Sequence, residues 1–194
     1  MAPQFIIIAG PNEAGKSTAA PALLRDVLDV DNYVNADTIA AGLSAFAPET
    51  VALRAGRLML ERMHELARDR QDFAIETTLA SRTFAGWAQR LAQDGYRTRL
   101  LFLALPDPEI ARQRVALRVA DGGHDIPAHV IHRRFHRGIR NFFRFYRPAV
   151  QRWRVYRTDR PDRPQLIAQG EGRQTHRVLH TSHWRHFEQQ GQTP

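Results

Sequence analysis

The sequence of 194 residues contains no cysteine. Disulfides, thiolate zinc sites and thiol catalysis are therefore excluded, and the nine histidines have no spacing typical of a zinc site. No apolar run approaches the roughly 20 residues that a membrane-spanning helix needs. The first apolar stretch, residues 5–9, is too short for a signal peptide and follows no basic residue. These absences favour a soluble, cytoplasmic protein without a membrane partner.

The composition is that of an ordinary globular domain, with 43% hydrophobic and 25% charged residues. The net charge is +8, and arginine far outnumbers lysine. Such an excess of cations is typical of proteins that bind nucleic acid. It also suits a site for polyanionic small molecules such as nucleotides, or a solvated basic surface. Composition leaves these three interpretations open.

Short apolar runs alternate with helical patterns along most of the chain. This order predicts an α/β fold with a mainly parallel sheet and helices on both faces. From residue 170 the sequence is polar and rich in His and Gln, which predicts a domain over 1–169 and a peripheral tail over 170–194. The predicted strands cover 4–9, 33–35, 73–76, 99–105, 153–156 and 165–168, and the clearest helices 16–27, 83–93 and 128–146.

The first predicted strand runs directly into a match to G-x-x-x-x-G-K-[ST], the phosphate-binding P-loop. Backbone N–H groups of such a loop surround the β-phosphate of ATP. Lys16 is expected to reach the β- and γ-phosphates, and the Ser17 hydroxyl to hold Mg²⁺. Glu13 stands where a glycine is common, and its negative charge lowers the expected affinity for ATP. The predicted ATP-binding residues are Gly10, Pro11, Asn12, Glu13, Ala14, Gly15, Lys16, Ser17 and Thr18.

Two acidic residues follow predicted strands, where ligands bind in open α/β sheets. Asp37 is a candidate base for an acceptor hydroxyl, or alternatively the cap of a helix over 38–42. Glu76 is a candidate for binding Mg²⁺ through water or for holding the acceptor. The other strong strand ends in Leu105-Pro106 and not in the Asp that usually binds magnesium. This difference favours a small-molecule kinase over a motor ATPase.

Phosphoryl transfer also needs positive charge on the moving phosphate. Arg118 precedes Gly122-Gly123, a candidate hinge, and Arg134 borders the apolar stripe of the next helix. We predict that these two arginines contact the γ-phosphate. His124 and Asp125 have the residue types of a metal or acid–base pair, but adjacent positions on a loop favour local hydrogen bonds that fix the hinge.

Taken in order, these motifs resemble the compact branch of the zeta toxin family over about residues 3–168. The resemblance implies a kinase-like fold and ATP-dependent phosphorylation of the 3′-hydroxyl of UDP-N-acetylglucosamine. It also implies Asp37 as the base, Glu76 and Thr78 in the acceptor pocket, and neutralisation by an antitoxin protein. The motifs are the P-loop at 10–18, Asn35-Ala36-Asp37, Ile75-Glu76-Thr77-Thr78-Leu79, Gly122-Gly123-His124-Asp125-Ile126-Pro127 and Arg133-Arg134.

Two departures from the larger toxins of that family concern the acceptor site. The chain is shorter between Asp37 and Glu76, and it has His124-Asp125-Ile126 where a second clamp arginine precedes the hinge proline. The sequence therefore predicts an ATP- and Mg²⁺-dependent kinase of a small hydroxyl acceptor. A kinase of another metabolite or of a nucleic-acid end, and a nucleotide-gated binding protein, remain as alternatives.

Overall fold

A computed structural model describes residues 2–26, 28–123, 125–159 and 164–192. Seven strands of these residues form one sheet in the order β2-β3-β1-β4-β5-β6-β7. In chain order they are β1 Gln4–Ala9, β2 Asn32–Val34, β3 Phe73–Thr77, β4 Arg97–Ala104, β5 Arg152–Arg157, β6 Gln165–Glu171 and β7 Gln174–Val178. The helices are α1 Lys16–Pro21, α2 Ala36–Leu43, α3 Ala52–Arg68, α4 Thr83–Gln93, α5 Pro108–Ala120, α6 Ala128–Asn141 and α7 Thr181–Gln192.

The first five strands pair in parallel, and β6 and β7 extend the sheet antiparallel. β1 lies at the centre and is buried along its whole length, which explains its uninterrupted apolar sequence. Ile8 pairs with Glu76, so the two side chains lie on the same face of the sheet. The Ser17 hydroxyl of α1 donates a hydrogen bond to Glu76, which places α1 on that face. Phe102 points to the opposite face, where it contacts Phe142 and Phe187. The predicted α/β fold with helices on both faces is confirmed.

Two predicted helices are shorter than their sequence patterns suggested. α1 ends at Pro21 and continues as a π-helical turn over 22–26. α6 ends at Asn141 and passes into a second π-helical turn over 142–146. At the end of α1, Pro21 disrupts regular helical hydrogen bonding. At the end of α6, Nδ2 of the buried Asn141 donates a hydrogen bond of 2.6 Å to the carbonyl of Leu79. No helix in the described part of the chain is long and apolar enough to cross a membrane.

The expectation of a peripheral polar tail from residue 170 is wrong for the residues that the structure describes. β6 continues to Glu171, and β7 and α7 follow. The polar surface of α7 concealed a narrow apolar stripe, because Trp184 and Phe187 are 4% and 2% exposed. Trp184 stacks on Trp153 of β5 with ring centroids 5.6 Å apart. Residues 170–192 therefore help to close the core.

Candidate active site

The P-loop between β1 and α1 requires glycine at its first position. Gly10 has φ of +149°, and a Cβ there would lie 2.3 Å from the carbonyl oxygen of Leu103 in β4. Gly15 has φ of +78° and Glu13 φ of +59°, so both lie in the left-handed region. Glycine adopts this conformation without strain, whereas glutamate adopts it at some cost. The loop thus turns tightly and leaves its backbone open to a ligand.

Lys16 begins α1 and is 7% exposed. Its Nζ donates a hydrogen bond of 2.8 Å to the carbonyl of Pro11 and lies 3.7 Å from Oε1 of Glu76. Burial lowers the pKa of Lys16, although the carboxylates of Glu76, Asp37 and Glu13 oppose this effect. A buried cation beside an open phosphate-binding loop gains most from a ligand that brings negative charge.

The Glu76 carboxylate at the end of β3 is the centre of a polar network. Its Oε2 accepts hydrogen bonds from the Ser17 hydroxyl at 2.9 Å, from Nδ2 of Asn35 at 3.0 Å and from the Tyr33 hydroxyl. Burial, together with the charge of Glu76, raises the pKa of Tyr33. Tyr33 and Asn35 were not predicted as site residues. The period of two in β2 places Tyr33 on the face of Glu76 only because β2 pairs with β3, and the sequence carries no signal for that pairing.

Asp37 lies in the first turn of α2 and does not cap it. The helix begins at Ala36, and the cap is Asn35, whose side-chain oxygen accepts a hydrogen bond of 2.8 Å from the backbone N–H of Asp37. The alternative role of Asp37 as the cap of a helix over 38–42 is therefore wrong. Asn35 connects the start of α2 to the end of β3. Its Oδ1 accepts the bond from the backbone of Asp37, and its Nδ2 donates to the Glu76 carboxylate.

One cleft brings six of the fourteen predicted site residues together. It has a volume of about 590 Å³ beside the P-loop, and its walls come from α2, α3, the start of α4 and α6. Sequence reasoning missed the contribution of α3, which adds Leu60 and the exposed Arg57. The predicted residues that line the cleft are Asn12, Lys16, Asp37, Glu76, Thr78 and Arg134.

The packing of α6 positions Arg134 at this cleft. Gly138 lies so close to the segment after β3 that a Cβ there would be 2.4 Å from the carbonyl oxygen of Thr78. Arg134 is four residues earlier and therefore on the same side of the helix. The next residue of the segment, Leu79, has φ of +57°, and Asn141 donates to its carbonyl. A small residue at 138 thus lets α6 approach and places Arg134 at the cleft.

Arg118 lies apart from Arg134, at the P-loop. Its Nη1 is 2.7 Å from Oε1 of Glu13, so the carboxylate that seemed unfavourable beside a triphosphate faces an arginine. Arg114 on the same helix donates to the carbonyl of Glu13 at 2.9 Å and to the carbonyl of Asp159 at 2.7 Å. α5 is therefore tied to both the P-loop and the segment after β5.

The candidate hinge ends α5. The backbone N–H of Gly123 donates to the carbonyl of Arg118 at 2.8 Å, and Gly122 has φ of +85°. This is the glycine-rich C-terminal cap of an α-helix. Asp125 is exposed, and its predicted partner His124 lies outside the described residues.

Two solved structures share the fold of this chain, and a third protein is similar to it in sequence. A chain of the AvrRxo1-ORF1:AvrRxo1-ORF2 complex superposes with a TM-score of 0.71 at 15% identity, covering 99% of this chain and 65% of that one. This chain thus spans about two thirds of its length. A chain of the PezAT toxin–antitoxin system of Streptococcus pneumoniae gives a TM-score of 0.66 at 16% identity, covering 97% and 85%. An uncharacterized protein of Haemophilus influenzae is 25% identical over 130 residues, covering 67% of this chain and 91% of the relative.

The parallel sheet, the P-loop and the buried lysine define a P-loop nucleotide-binding protein with a kinase-like fold. The family model of the zeta toxins matches residues 1–164. The chain therefore belongs to the zeta toxin family.

Proposed function

We propose that this kinase transfers the γ-phosphate of ATP to a hydroxyl group of a nucleotide sugar such as UDP-N-acetylglucosamine. The observation that carries the proposal is the single cleft lined by the P-loop lysine Lys16, the carboxylate of Asp37 and the carboxylate of Glu76. Its volume of about 590 Å³ lies within the range of small-molecule sites. Phosphate donor and hydroxyl acceptor thus have neighbouring places in one site.

The chemistry assigns a role to each side chain. The acceptor hydroxyl oxygen bonds to the γ-phosphorus, while the bond from that phosphorus to the oxygen bridging the β-phosphate breaks and ADP leaves. Asp37 accepts the hydroxyl proton as the new bond forms. Lys16, Arg118 and Arg134 balance the negative charge of the phosphates, a contribution that grows in the transition state.

The residues around Ser17 fit a magnesium ion. Mg²⁺ prefers oxygen ligands, and the Ser17 hydroxyl lies 2.9 Å from the Glu76 carboxylate. Ser17 would hold the ion directly and Glu76 would hold it through water. When bound, Mg²⁺ would supply positive charge that offsets the negative charge of the phosphates of ATP.

The remaining walls of the cleft suit a large anionic acceptor. Arg57 and Arg134 both line it, as do the apolar side chains of Leu60 and Phe84. Arginine binds phosphate groups through its planar, two-pronged guanidinium, and a nucleotide sugar carries a diphosphate between an apolar base and a sugar. We assign Arg57 to the anionic part of the acceptor, and Glu76 and Thr78 to its hydroxyl groups, while Arg134 stays with the γ-phosphate.

An antitoxin protein is the proposed macromolecular partner. Of the two structural relatives named above, one is a complex of AvrRxo1-ORF1 with AvrRxo1-ORF2. The other belongs to the PezAT toxin–antitoxin system. An antitoxin that covers the P-loop or the cleft would stop phosphorylation by excluding ATP or the acceptor.

Incubation with ATP and Mg²⁺ and a panel of acceptors, followed by mass spectrometry, tests the function. The panel contains UDP-N-acetylglucosamine, UDP-glucose, free N-acetylglucosamine, gluconate and an oligonucleotide with a 5′-hydroxyl. We expect a phosphate on the UDP-linked sugars, formed about 10²-fold or more slowly by the Asp37→Asn variant. Phosphate on the oligonucleotide or on gluconate alone would show a different kinase. Tight ATP binding without any phosphorylated acceptor would favour a nucleotide-gated binding protein.

A further inference from the structure

One face of the sheet carries arginines that the kinase site does not use. β4 and β5 pair in register, with Arg99 beside Arg152. Residues two apart on a strand share a face, so Arg97 and Arg154 belong to the same side. β6 and β7 continue it, because Arg154 pairs with Gln169 and Gln169 pairs with Arg177. We call this surface, formed by Arg97, Arg99, Arg152, Arg154 and Arg177, the basic sheet face.

The face is open. Arg97, Arg152, Arg154 and Arg177 are exposed and Arg99 is half-buried. On the same side of the sheet, Gln4, Ile6 and Ile8 of β1 pair with Arg97, Arg99 and Leu101 of β4, respectively. The side chains of these three β1 residues are buried. The sheet is therefore covered at β1 on this side, and the basic sheet face is the exposed part across β4, β5 and β7.

The positive charge of this surface is poorly balanced. Among the described residues, Glu171 is the carboxylate paired with it, 3.1 Å from Nε of Arg152. Arg97 donates instead to the carbonyl of Ala2 at 3.2 Å. Burial, together with the neighbouring arginines, lowers the pKa of Arg99, as expected where like charges crowd each other. A cluster of this kind gains stability when negative charge from outside approaches it.

Apolar side chains form a shallow floor between the arginines. A depression of about 100 Å³ is lined by three leucines, three arginines and Trp153, whose side chain is buried. The leucines and arginines are Leu28, Leu100, Leu101, Arg99, Arg152 and Arg154. The large aromatic residues of these strands point the other way, since Phe102 and Trp153 contact Phe142 in the core. Sheets that bind single-stranded nucleic acid use exposed aromatic rings as stacking platforms. Cations around an aliphatic floor instead match carboxylates that alternate with aliphatic side chains.

We propose that the basic sheet face is a docking surface for an acidic segment of a partner protein, with aliphatic side chains between its carboxylates. A second copy of this chain does not fit, because two such faces repel each other. The surface lies at the N-terminal ends of β4 and β5, whereas the P-loop follows the C-terminal end of β1. An eight-residue strand such as β4 spans about 25 Å. The partner therefore binds without blocking the kinase cleft.

Fluorescence anisotropy with two labelled probes of equal charge tests this proposal on the full chain. One probe is a short peptide of repeated Glu-Leu-Glu-Asp units, and the other is oligo(dT). The test variant is Arg99→Glu with Arg154→Glu. The control is Arg133→Glu with Arg144→Glu, exposed positions on α6 and the turn after it, which changes the net charge equally.

At physiological ionic strength, we expect the test variant to weaken peptide binding by at least about 10-fold and the control by less than about 2-fold. ATP turnover should be unchanged in the test variant. Equal losses in both variants would indicate a diffuse field and would overturn the proposal. The proposal would also fail if the wild-type protein did not bind the peptide. It would fail as well if the wild-type protein bound oligo(dT) more tightly than the peptide and the test variant lost that binding. Arg99→Gln with Arg154→Gln replaces the test variant if charge reversal prevents folding.

Discussion

Replacing Glu76 with glutamine separates the charge of this residue from its hydrogen bonds. A glutamine can place its carbonyl oxygen where Oε2 accepts the bonds from Ser17, Tyr33 and Asn35. The amide nitrogen then replaces Oε1, which lies 3.7 Å from Nζ of Lys16. The perturbation therefore removes the negative charge beside the buried lysine and keeps most of the polar network.

The separation of 3.7 Å corresponds to an attraction of about 4 kcal/mol at an effective dielectric constant of about 20. Without it the pKa of Lys16, which burial already lowers, falls further. Lys16 must carry its proton to bind phosphate. We therefore expect the alkaline limb of the pH profile of kcat/KM for ATP to move to lower pH. On the alkaline limb we expect the loss relative to wild type to reach at least about 10-fold, and it should be smaller at pH 6.

The melting temperature of Glu76→Gln is an independent measure of the lowered pKa of Lys16. A lysine whose pKa is lower in the folded state than in the unfolded state costs free energy below the folded pKa. That cost disappears as the pH rises to the unfolded value. The melting temperature of Glu76→Gln should therefore differ most from that of wild type near neutral pH and approach it near pH 10.

The control is Glu65→Gln, the same chemical change at a half-exposed ion pair with Arg62. Pairs of this kind contribute little, so activity and melting should match wild type at every pH. If Glu76→Gln kept the alkaline limb of wild type while losing activity at all pH values, the charge of Glu76 would not set the protonation of Lys16. The role of Glu76 would then be confined to magnesium or the acceptor.

Four further outcomes follow from the site. Lys16→Ala should reduce phosphoryl transfer by about 10³-fold or more with an unchanged circular dichroism spectrum, and near-normal turnover would contradict the P-loop mechanism. Arg118→Ala and Arg134→Ala should lower kcat more than ATP affinity measured by calorimetry, whereas the exposed Arg144→Ala should not; equal losses would indicate a diffuse field. Asp37→Asn should melt like wild type, because Asn35 caps α2, while kcat falls by about 10²-fold or more; full activity would exclude Asp37 as the base. ATP binding at alkaline pH should take up a proton, since the phosphates raise the lowered pKa of Lys16; heats that do not depend on the ionisation enthalpy of the buffer would contradict this.

Sequence patterns predicted the features that depend on local chemistry. The P-loop, the parallel sheet, and the position of Asp37 and Glu76 beside one cleft follow from glycine spacing and from where apolar runs end. The partners of Glu76 were harder to predict, because Tyr33 reaches it from β2 and Asn35 from the start of α2. Residues far apart in sequence meet according to strand order, which a single sequence does not specify.

Helix α7 was missed for a different reason. Its sequence is mostly polar, and only the spacing of Trp184, Phe187 and Gly191 marks one side as buried. A narrow stripe suffices because Gly191 lets the Phe143 ring approach so closely that a Cβ would lie 2.4 Å from it. Arg57 was missed likewise, since nothing in the local pattern of α3 distinguishes an arginine at a cleft from one in solvent.

The stacked pair of Trp153 and Trp184 has a consequence for how the protein is made. The chain contains three tryptophans, and these two face each other at an angle of 11° only when the last helix is in place. The P-loop is synthesised before α7, so a nascent chain carries its phosphate-binding loop before its core is closed. The closed core therefore requires α7 to be synthesised and packed against β5. The exciton signal of the tryptophan pair in near-ultraviolet circular dichroism would report the moment of completion during refolding.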